Sequence, residues 1–273
     1  FQKHIANEIV YLYLRGHSTS KIGLTLGMSK TSISNCLSIN GIERRNQTQT
    51  SRKHILDQQY FKDIDSDDKA YFVGLMYADG NIFYKKYTAT AIIGLQIRDV
   101  DVLKQFADRI YPGQPSEGLL KYRMSKNPNH QTMVHLAASS HPYCDNLVRW
   151  GCVPCKSAIL SLSTIFQFSE SLIFSFLRGF FDGDGCMHIR TQNKNGQMTG
   201  YASFASNKIV LKQLKDFLLK YEIVGRISMR KEHYGSYVVS NADSLRLLYK
   251  KIYPKSTVIS LARKREKFEL YFK

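Results

Sequence analysis

The stretch FLRGFFDGDG, residues 176–185, places two aspartates two positions apart, between glycines, at the end of an apolar run. The stretch YFVGLMYADG, residues 71–80, has the same order of apolar residues, a glycine within them and a final Asp-Gly. Residues four apart lie on one face of a helix, and small residues on that face let two helix backbones approach closely. The pattern therefore predicts two helices that pack against each other through Gly74 and Gly179 and end side by side at their aspartates.

The two stretches belong to a longer repeat. Asp79 and Asp184 lie 105 positions apart (184 − 79), and VLKQF at 102–106 has a counterpart in VLKQL at 210–214. Each acidic stretch is followed by two strand patterns, a helix, two further strand patterns and another helix. This order predicts the α+β class, with a pseudo-twofold pair of αββαββα halves.

Apolar residues at helical spacing predict three short helices in residues 1–50. Ser18 and Ser29 stand where N-caps are expected, and Asn40-Gly41 can end the third helix. This order is typical of a helix-turn-helix, with a plain three-helix bundle as the alternative, and it resembles the helix-turn-helix of resolvase-type bacterial regulators. The predicted segments are a helix-turn-helix at 1–50, a linker at 51–68, and two halves at 69–160 and 161–273.

The charge of the chain favours a polyanionic partner. Its 273 residues include 39 Lys and Arg against 22 Asp and Glu, a net charge of +17, and such an excess is typical of nucleic-acid-binding proteins. The apolar runs are too short for a membrane span, so no membrane partner is predicted. Five scattered cysteines do not form a disulfide framework and no secretory signal is visible, so we expect an intracellular protein. Cys152 and Cys155 have the spacing of half a zinc site, but no second pair follows.

Two carboxylates side by side at helix ends need a neutralising partner. Like charges so placed raise each other's pKa unless a cation lies nearby, and oxygen ligands suit Mg²⁺. Asp79 and Asp184 are therefore candidate metal ligands. Paired acids that hold a metal beside a basic surface suit phosphodiester hydrolysis, because the metal activates water and stabilises the leaving oxygen. The alternative is a helix pair that merely ends in acids.

The two motifs resemble the signature of the LAGLIDADG homing endonucleases in its two-motif, single-chain form, over most of the chain from residue 65 onward. The resemblance implies that Asp79 and Asp184 are catalytic and bind metal. It also implies that the carbonyl oxygens of Ala78 and Gly183 are metal ligands. Mg²⁺ is the cofactor that the family implies, with Mn²⁺ as a substitute.

The resemblance is not equal in the two repeats. Tyr77 stands where the second motif has Asp182, which implies asymmetric halves. Gln96, in GLQIRD, resembles the family's glutamine near the scissile phosphate and is the third candidate catalytic residue; the corresponding stretch of the second repeat, 204–206, has no glutamine. Neither half offers a clear match to the family's active-site lysine. The candidates for that role are Arg98 and Lys156.

Polar and basic residues alternate with apolar ones along the predicted strands. Successive strand residues point to opposite faces of a sheet, so each half has one polar, basic face. Two such faces form a saddle that can read base edges in the major groove, with an ordinary solvent-exposed face as the alternative. The predicted DNA contacts of the saddle are Asn81, Phe83, Lys85, Tyr87, Arg98, Lys121, Arg123, His188, Arg190, Gln192, Lys194, Arg226, Ser228 and Arg230. Those of the helix-turn-helix are Lys30, Thr31, Ser34, Asn35, Arg44 and Arg45.

Together these features predict a site-specific endonuclease of double-stranded DNA that hydrolyses one phosphodiester per strand across the minor groove. The resemblance implies a monomer, a long non-palindromic target, and homing of the encoding element. The expected location is the cytoplasm or nucleoid of a bacterium or phage-infected cell, or an organelle. Two alternatives use the same scaffold, namely a non-cleaving transcriptional regulator and an RNA-binding intron maturase. If the protein cuts DNA in a metal-dependent way, it is not the non-cleaving regulator. If it binds structured RNA in preference to DNA, it is the maturase.

Overall fold

The computed structural model describes residues 3–14, 17–43, 54–124, 131–155, 159–191 and 198–273. The chain forms two compact units, Phe1–Ile55 and Leu56–Lys273. No helix in this described part of the chain is long and apolar enough to cross a membrane. The predicted functional residues that lie outside the described residues are Arg44, Arg45, Lys156, Gln192 and Lys194.

The described residues of the N-terminal unit form three helices. They are α1 (Lys3–Leu14), α2 (Thr19–Leu26) and α3 (Lys30–Ile39). The predicted N-caps are confirmed, since the side chain of Ser18 accepts a hydrogen bond from the Lys21 amide. The side chain of Ser29 likewise accepts from the Ser32 amide. The core of this unit consists of Ile9, Tyr13, Ile22, Ile33, Cys36 and Leu37.

One predicted surface position of α3 is not on the surface. Lys30, Thr31 and Asn35 are exposed, whereas Ser34 is only 9% exposed. Ser34 lies three positions before the core residue Leu37, and residues at this spacing share a helix face. The prediction that Ser34 lies on the outer, DNA-facing side of α3 is therefore wrong.

In the first half of the larger unit, the described residues form three α-helices and four strands. In chain order they are α4 (Asp67–Asp79), β1 (Gly80–Lys85), β2 (Thr88–Gln96), α5 (Val100–Ile110), β3 (Leu120–Arg123), β4 (Met133–Ser139) and α6 (His141–Arg149). The strands form one antiparallel sheet in the order β1-β2-β4-β3. Its buried face packs against the helices through residues such as Ile82, Ile93 and Leu136.

The second half repeats this order and adds a helix at its end. Its elements are α7 (Glu170–Asp184), β5 (Gly185–Thr191), β6 (Met198–Asn207), α8 (Lys208–Leu219), β7 (Arg226–Lys231), β8 (Tyr234–Val239), α9 (Ala242–Ile252) and α10 (Ala262–Tyr271). The sheet order is β5-β6-β8-β7, again antiparallel. The predicted α+β class is confirmed, and the structure has two four-stranded antiparallel sheets.

The helices α4 and α7 pack together at the centre of the larger unit. Every residue of α4 from 70 to 77 is buried, which is typical of a helix enclosed on all sides. A Cβ atom built on Gly74 would lie 2.0 Å from the carbonyl oxygen of Phe176, and one on Gly179 would lie 2.0 Å from that of Tyr71. Only glycine allows this reciprocal approach of the two backbones, so these two residues set the distance between the helices.

The residues before α4 belong to the core rather than to a linker. Leu56, Tyr60, Phe61 and Ile64 are buried in the same cluster as α4, and the indole Nε1 of Trp150 donates to the Phe61 carbonyl at 2.8 Å. The sequence prediction of a linker over 51–68 therefore differs from the structure, in which the larger unit begins at residue 56. The run of alternating apolar and polar residues before α4 is too short for the sequence to distinguish a packed, irregular segment from a solvent-exposed linker.

Candidate active site

The last turns of α4 and α7 touch each other and carry the two predicted acids. Asp79 and Asp184 are the final residues of their helices, and both are exposed. A Cβ atom built on Gly183 would lie 2.1 Å from the Cβ of Ala78 and 2.9 Å from Oδ2 of Asp79. The carboxylate of Asp79 therefore lies across the last turn of α7, and the seam between the helices ends in an acidic pair.

The position of these acids is unfavourable for the helices themselves. The C-terminal end of a helix carries a partial negative charge, and a carboxylate there costs about 0.3–1 kcal/mol where a basic residue would stabilise. Neither helix has a basic residue in its last turn. The acids at both helix ends therefore do not serve helix stability.

A buried lysine supplies a cation at this place. Lys264 of α10 is 5% exposed, and its Nζ donates to the carbonyl oxygens of Phe181, Gly183 and Gly185 at 2.7–2.8 Å. Burial lowers the pKa of Lys264 to about 8, and the carboxylate of Asp182 opposes that shift. Sequence reasoning missed Lys264, because it lies 80 positions after Asp184 (264 − 184) in an ordinary basic helix with no local motif.

The buried carboxylate of Asp182 links the end of α7 to neighbouring segments by hydrogen bonds. Its carboxylate accepts hydrogen bonds from the hydroxyls of Tyr71 and Tyr253, at 2.8 and 2.5 Å, and from the Leu261 amide at 2.7 Å. Burial raises the pKa of Asp182 to about 6, against the lowering effect of these donors. The bond to Leu261 holds the start of α10 against α7 and so places Lys264.

Gln96 lies at the end of the first sheet nearest to α4. Gly80 pairs with Ile93, so β2 extends three residues beyond the start of β1 on the side where α4 ends. Gln96 is half-buried, and no described group donates to its buried Oε1.

The second sheet corrects the position predicted to match Gln96. Gly185 pairs with Phe204, so the equivalent of Gln96 is Asn207 rather than a residue in 204–206. Asn207 is buried; its Oδ1 accepts from the Val210 amide and its Nδ2 donates to the Leu160 carbonyl. This amide caps α8, so the two halves use the position differently.

Arg98 and its neighbour have separate roles. Arg98 is exposed in a short 3-10 turn between β2 and α5. The adjacent Asp99 is buried and receives two arms of Arg263, with Nε–Oδ1 and Nη2–Oδ2 both at 3.0 Å. This ion pair ties α10 of the second half to the first half, one residue before Lys264.

The outer faces of the two sheets carry several of the residues predicted to contact DNA. Asn81, Lys85, Lys121 and Arg123 are exposed on the first sheet, and Phe83 is half-buried. Their register adds residues that sequence reasoning did not name, namely Thr90, Gly94, His135 and Ser139. Tyr87 differs from the prediction, because it lies in the turn after β1 and not on the strand. The alternation of side chains between the two faces of a strand therefore does not apply to Tyr87.

The second sheet presents a similar face. Arg190, Arg226 and Ser228 are exposed, and His188 is half-buried. Nε of Arg190 donates to Nε2 of His188 at 3.1 Å, and the His188 ring stacks on Tyr201. Arg230 lies at a shift in the register between β7 and β8. The described cationic side chains of this face therefore lie on both the β5 and the β7 side of the sheet.

Comparison with known proteins agrees with this architecture. Residues 171–253 match the model of the LAGLIDADG-like domain. The fold is similar to that of a lysine-to-alanine mutant of I-SmaMI, with 14% identity, 74% of this chain and 90% of that chain covered, and a TM-score of 0.51. No curated protein sequence matches the chain.

Two further solved structures have scores just below that value. They are the LAGLIDADG homing endonuclease I-GzeII in complex with its DNA target (13% identity, 74% and 88% covered, TM-score 0.49) and the LAGLIDADG meganuclease I-AabMI bound to uncleaved DNA (14% identity, 74% and 88% covered, TM-score 0.48). Residues 171–253 thus match the LAGLIDADG-like domain, and the fold is similar to that of I-SmaMI.

Proposed function

We propose that this protein is a metal-dependent, site-specific endonuclease of double-stranded DNA that acts as a homing endonuclease. The observation that carries the proposal is the meeting of two helix ends, each with an exposed aspartate, between two sheets with polar and basic outer faces. A LAGLIDADG-like domain at 171–253 supports it. The net charge of +17 also favours a polyanionic substrate.

The acidic pair suits a divalent metal of the Mg²⁺ class. The carboxylates of Asp79 and Asp184 are hard oxygen donors, and the carbonyl oxygens of Ala78 and Gly183 are further candidate ligands. The close approach of Asp79 Oδ2 to Gly183, in the last turn of α7, supports a place that donors of both helices share. Mg²⁺ or Mn²⁺ bound there would activate water and stabilise the leaving oxygen of a phosphodiester.

The residues of the chain then divide the work. Asp79 and Asp184 each serve one DNA strand at the minor groove, and Gln96, at the end of β2 on the α4 side, is the third candidate catalytic residue. The outer faces of the two sheets grip the major grooves on either side. Because the two faces differ in sequence, one chain reads a non-palindromic target as a monomer.

The N-terminal unit adds a second DNA contact in this proposal. Its three helices and two serine caps have the order of a helix-turn-helix. Lys30, Thr31 and Asn35 are exposed on α3 and can reach base edges, while Arg44 and Arg45 follow in sequence and suit phosphates. This unit would extend the target beyond the stretch that the saddle covers.

A cleavage selection tests the proposal. The full chain is incubated with a randomised duplex library in Mg²⁺, beside Asp79→Asn, Asp184→Asn and the matched control Asp216→Asn, an exposed aspartate of α8. We expect double-strand cuts at one long site by the wild type and the control, and loss of double-strand cutting in both active-site variants. Tight, selective binding without cutting in Mg²⁺ or Mn²⁺ would overturn the nuclease and leave a DNA-binding regulator.

A further inference from the structure

Three side chains on the outer face of the second sheet contact one another in series. His188 and Arg190 are two positions apart on β5 and therefore lie on the same face of the strand. Tyr201 is the residue of β6 directly opposite His188, and their rings stack with centroids 5.2 Å apart and planes at 30°. Nε of Arg190 donates to Nε2 of His188 at 3.1 Å. The tyrosine therefore holds the imidazole, and the imidazole holds the arginine.

This hydrogen bond decides which donors the arginine can offer to a partner. A guanidinium has five N–H donors in a rigid, planar fork, and His188 accepts from the one on Nε. The four that remain are on Nη1 and Nη2, at the far end of the side chain. Arg190 is exposed, so a partner that approaches this face can reach the two terminal nitrogens. Two N–H groups side by side match two acceptors side by side.

Guanine is the base that offers such a pair of acceptors in the major groove. Its O6 and N7 accept two hydrogen bonds from one arginine, whereas adenine and cytosine present an amino donor there and thymine a methyl group beside a single acceptor. A contact to phosphate carries no sequence information directly and does not need an arginine that is held in advance. A side chain held before binding also loses less conformational entropy when it binds. The restraint on Arg190 therefore favours a base edge.

We propose that Arg190 reads one guanine of the DNA target through Nη1 and Nη2, and that His188, stacked on Tyr201, is the residue that positions it. This inference rests on the proposed function and deepens it, because it names a base that the β5 side of the second sheet recognises. Arg190 determines specificity at that base pair, and His188 acts through Arg190 without touching the DNA.

The same sheet offers a matched control. Arg226 of β7 lies on the same face, since it is in register with Cys186, two positions before His188. It is exposed, as Arg190 is. Arg190→Met and Arg226→Met therefore remove the same charge from one face, but only the first removes the arginine that His188 holds.

A binding selection with the full chain tests the inference. Randomised duplexes bound by the wild type, Arg190→Met and Arg226→Met are sequenced, and competition then compares duplexes that differ at one base pair. We expect the wild type to prefer guanine at one position by at least roughly fivefold. Arg190→Met should lose that preference and Arg226→Met should keep it. A uniform loss of affinity in Arg190→Met, with every base preference kept, would indicate a phosphate contact and overturn the inference.

Two variants of His188 test its positioning role. His188→Phe keeps a ring against Tyr201 but removes the acceptor, and His188→Gln removes the ring but keeps an acceptor. We expect the preference for guanine to fall at least roughly twofold in His188→Phe, because Arg190 is no longer held before binding, and to be better kept in His188→Gln. The full preference in His188→Phe would overturn the positioning role.

The selection also separates the inference from the function on which it rests. If the wild type selects no DNA sequence, the proposed site-specific function fails, and the inference fails with it. If the wild type selects a target in which no guanine depends on Arg190, the proposed function stands and only the inference is overturned.

Discussion

The ends of α4 and α7, at the centre of the larger unit, are held by hydrogen bonds of opposite direction. Two positions before the terminal acid, α4 has Tyr77 and α7 has Asp182. Tyr77 donates its hydroxyl to the carbonyls of Trp150 and Ser161, at 2.9 and 3.1 Å. Asp182 instead accepts from its surroundings, including Tyr253 and the Leu261 amide.

The contact is the same in both halves, although its chemistry is reversed. In each half the side chain reaches the segment that follows the last helix of its own αββαββα unit. A hydroxyl that donates suits a segment offering carbonyls, and a carboxylate that accepts suits one offering hydroxyl and amide protons. The difference leaves α7 with a buried carboxylate where α4 has a buried tyrosine.

The largest effect should come from the seam that brings the two ends together. In Gly179→Ala the new methyl group would lie 2.0 Å from the Tyr71 carbonyl, which is backbone and cannot turn aside. We expect the free energy of unfolding to fall by about 3 kcal/mol or more, measured by urea denaturation. In the control Gly94→Ala, the methyl group meets the side chain of His135, which can move. An equal loss of stability in both variants would contradict the claim that close backbone packing at Gly179 holds the two helices together.

A smaller effect on stability should follow removal of the hydrogen bonds that Asp182 of α7 accepts. Asp182→Ala leaves the hydroxyls of Tyr71 and Tyr253 and the Leu261 amide without their acceptor inside the core. We expect a loss of about 2–3 kcal/mol of stability, because each buried donor left unpaired costs energy. Faster amide exchange around Leu261 should accompany it. Unchanged exchange there would show that Asp182 does not hold the start of α10.

The smallest effect should come from the matching change in α4. Tyr77→Phe removes one hydroxyl and keeps the ring that packs edge-on against Phe176. We expect a loss of about 1 kcal/mol, the usual net value of a hydrogen bond, in the same denaturation assay. If Tyr77→Phe lowers the free energy of unfolding as much as Asp182→Ala does, the hydrogen bonds at the two positions do not differ in strength as their chemistry indicates.

Features set by spacing along the chain were accessible to sequence reasoning. The glycine spacing, the serine caps and the alternation of strand residues each depend on a local period, and that period is visible in the letters. The two four-stranded sheets followed from the repeat of these patterns. The acids Asp79 and Asp184 were found because they close two similar motifs.

Features set by contacts far apart in sequence were not accessible. Lys264 reaches α7 only because Asp182 and Asp99 fix the residues around it, and no local pattern reports such contacts. The match between Gln96 and Asn207 required the sheet register rather than an alignment of motifs. The burial of Ser34 likewise depends on which side of α3 meets its neighbours.

The most direct measurement is strand-resolved cleavage of the selected target by the full chain, with each DNA strand labelled separately. The proposed function predicts that Mg²⁺ supports one cut in each strand, that a chelator abolishes both, and that Asp79→Asn and Asp184→Asn do not make the double-strand break. Both strands left intact in Mg²⁺ and Mn²⁺, on a target that the protein binds selectively, would contradict the assignment of the acidic pair as a nuclease centre.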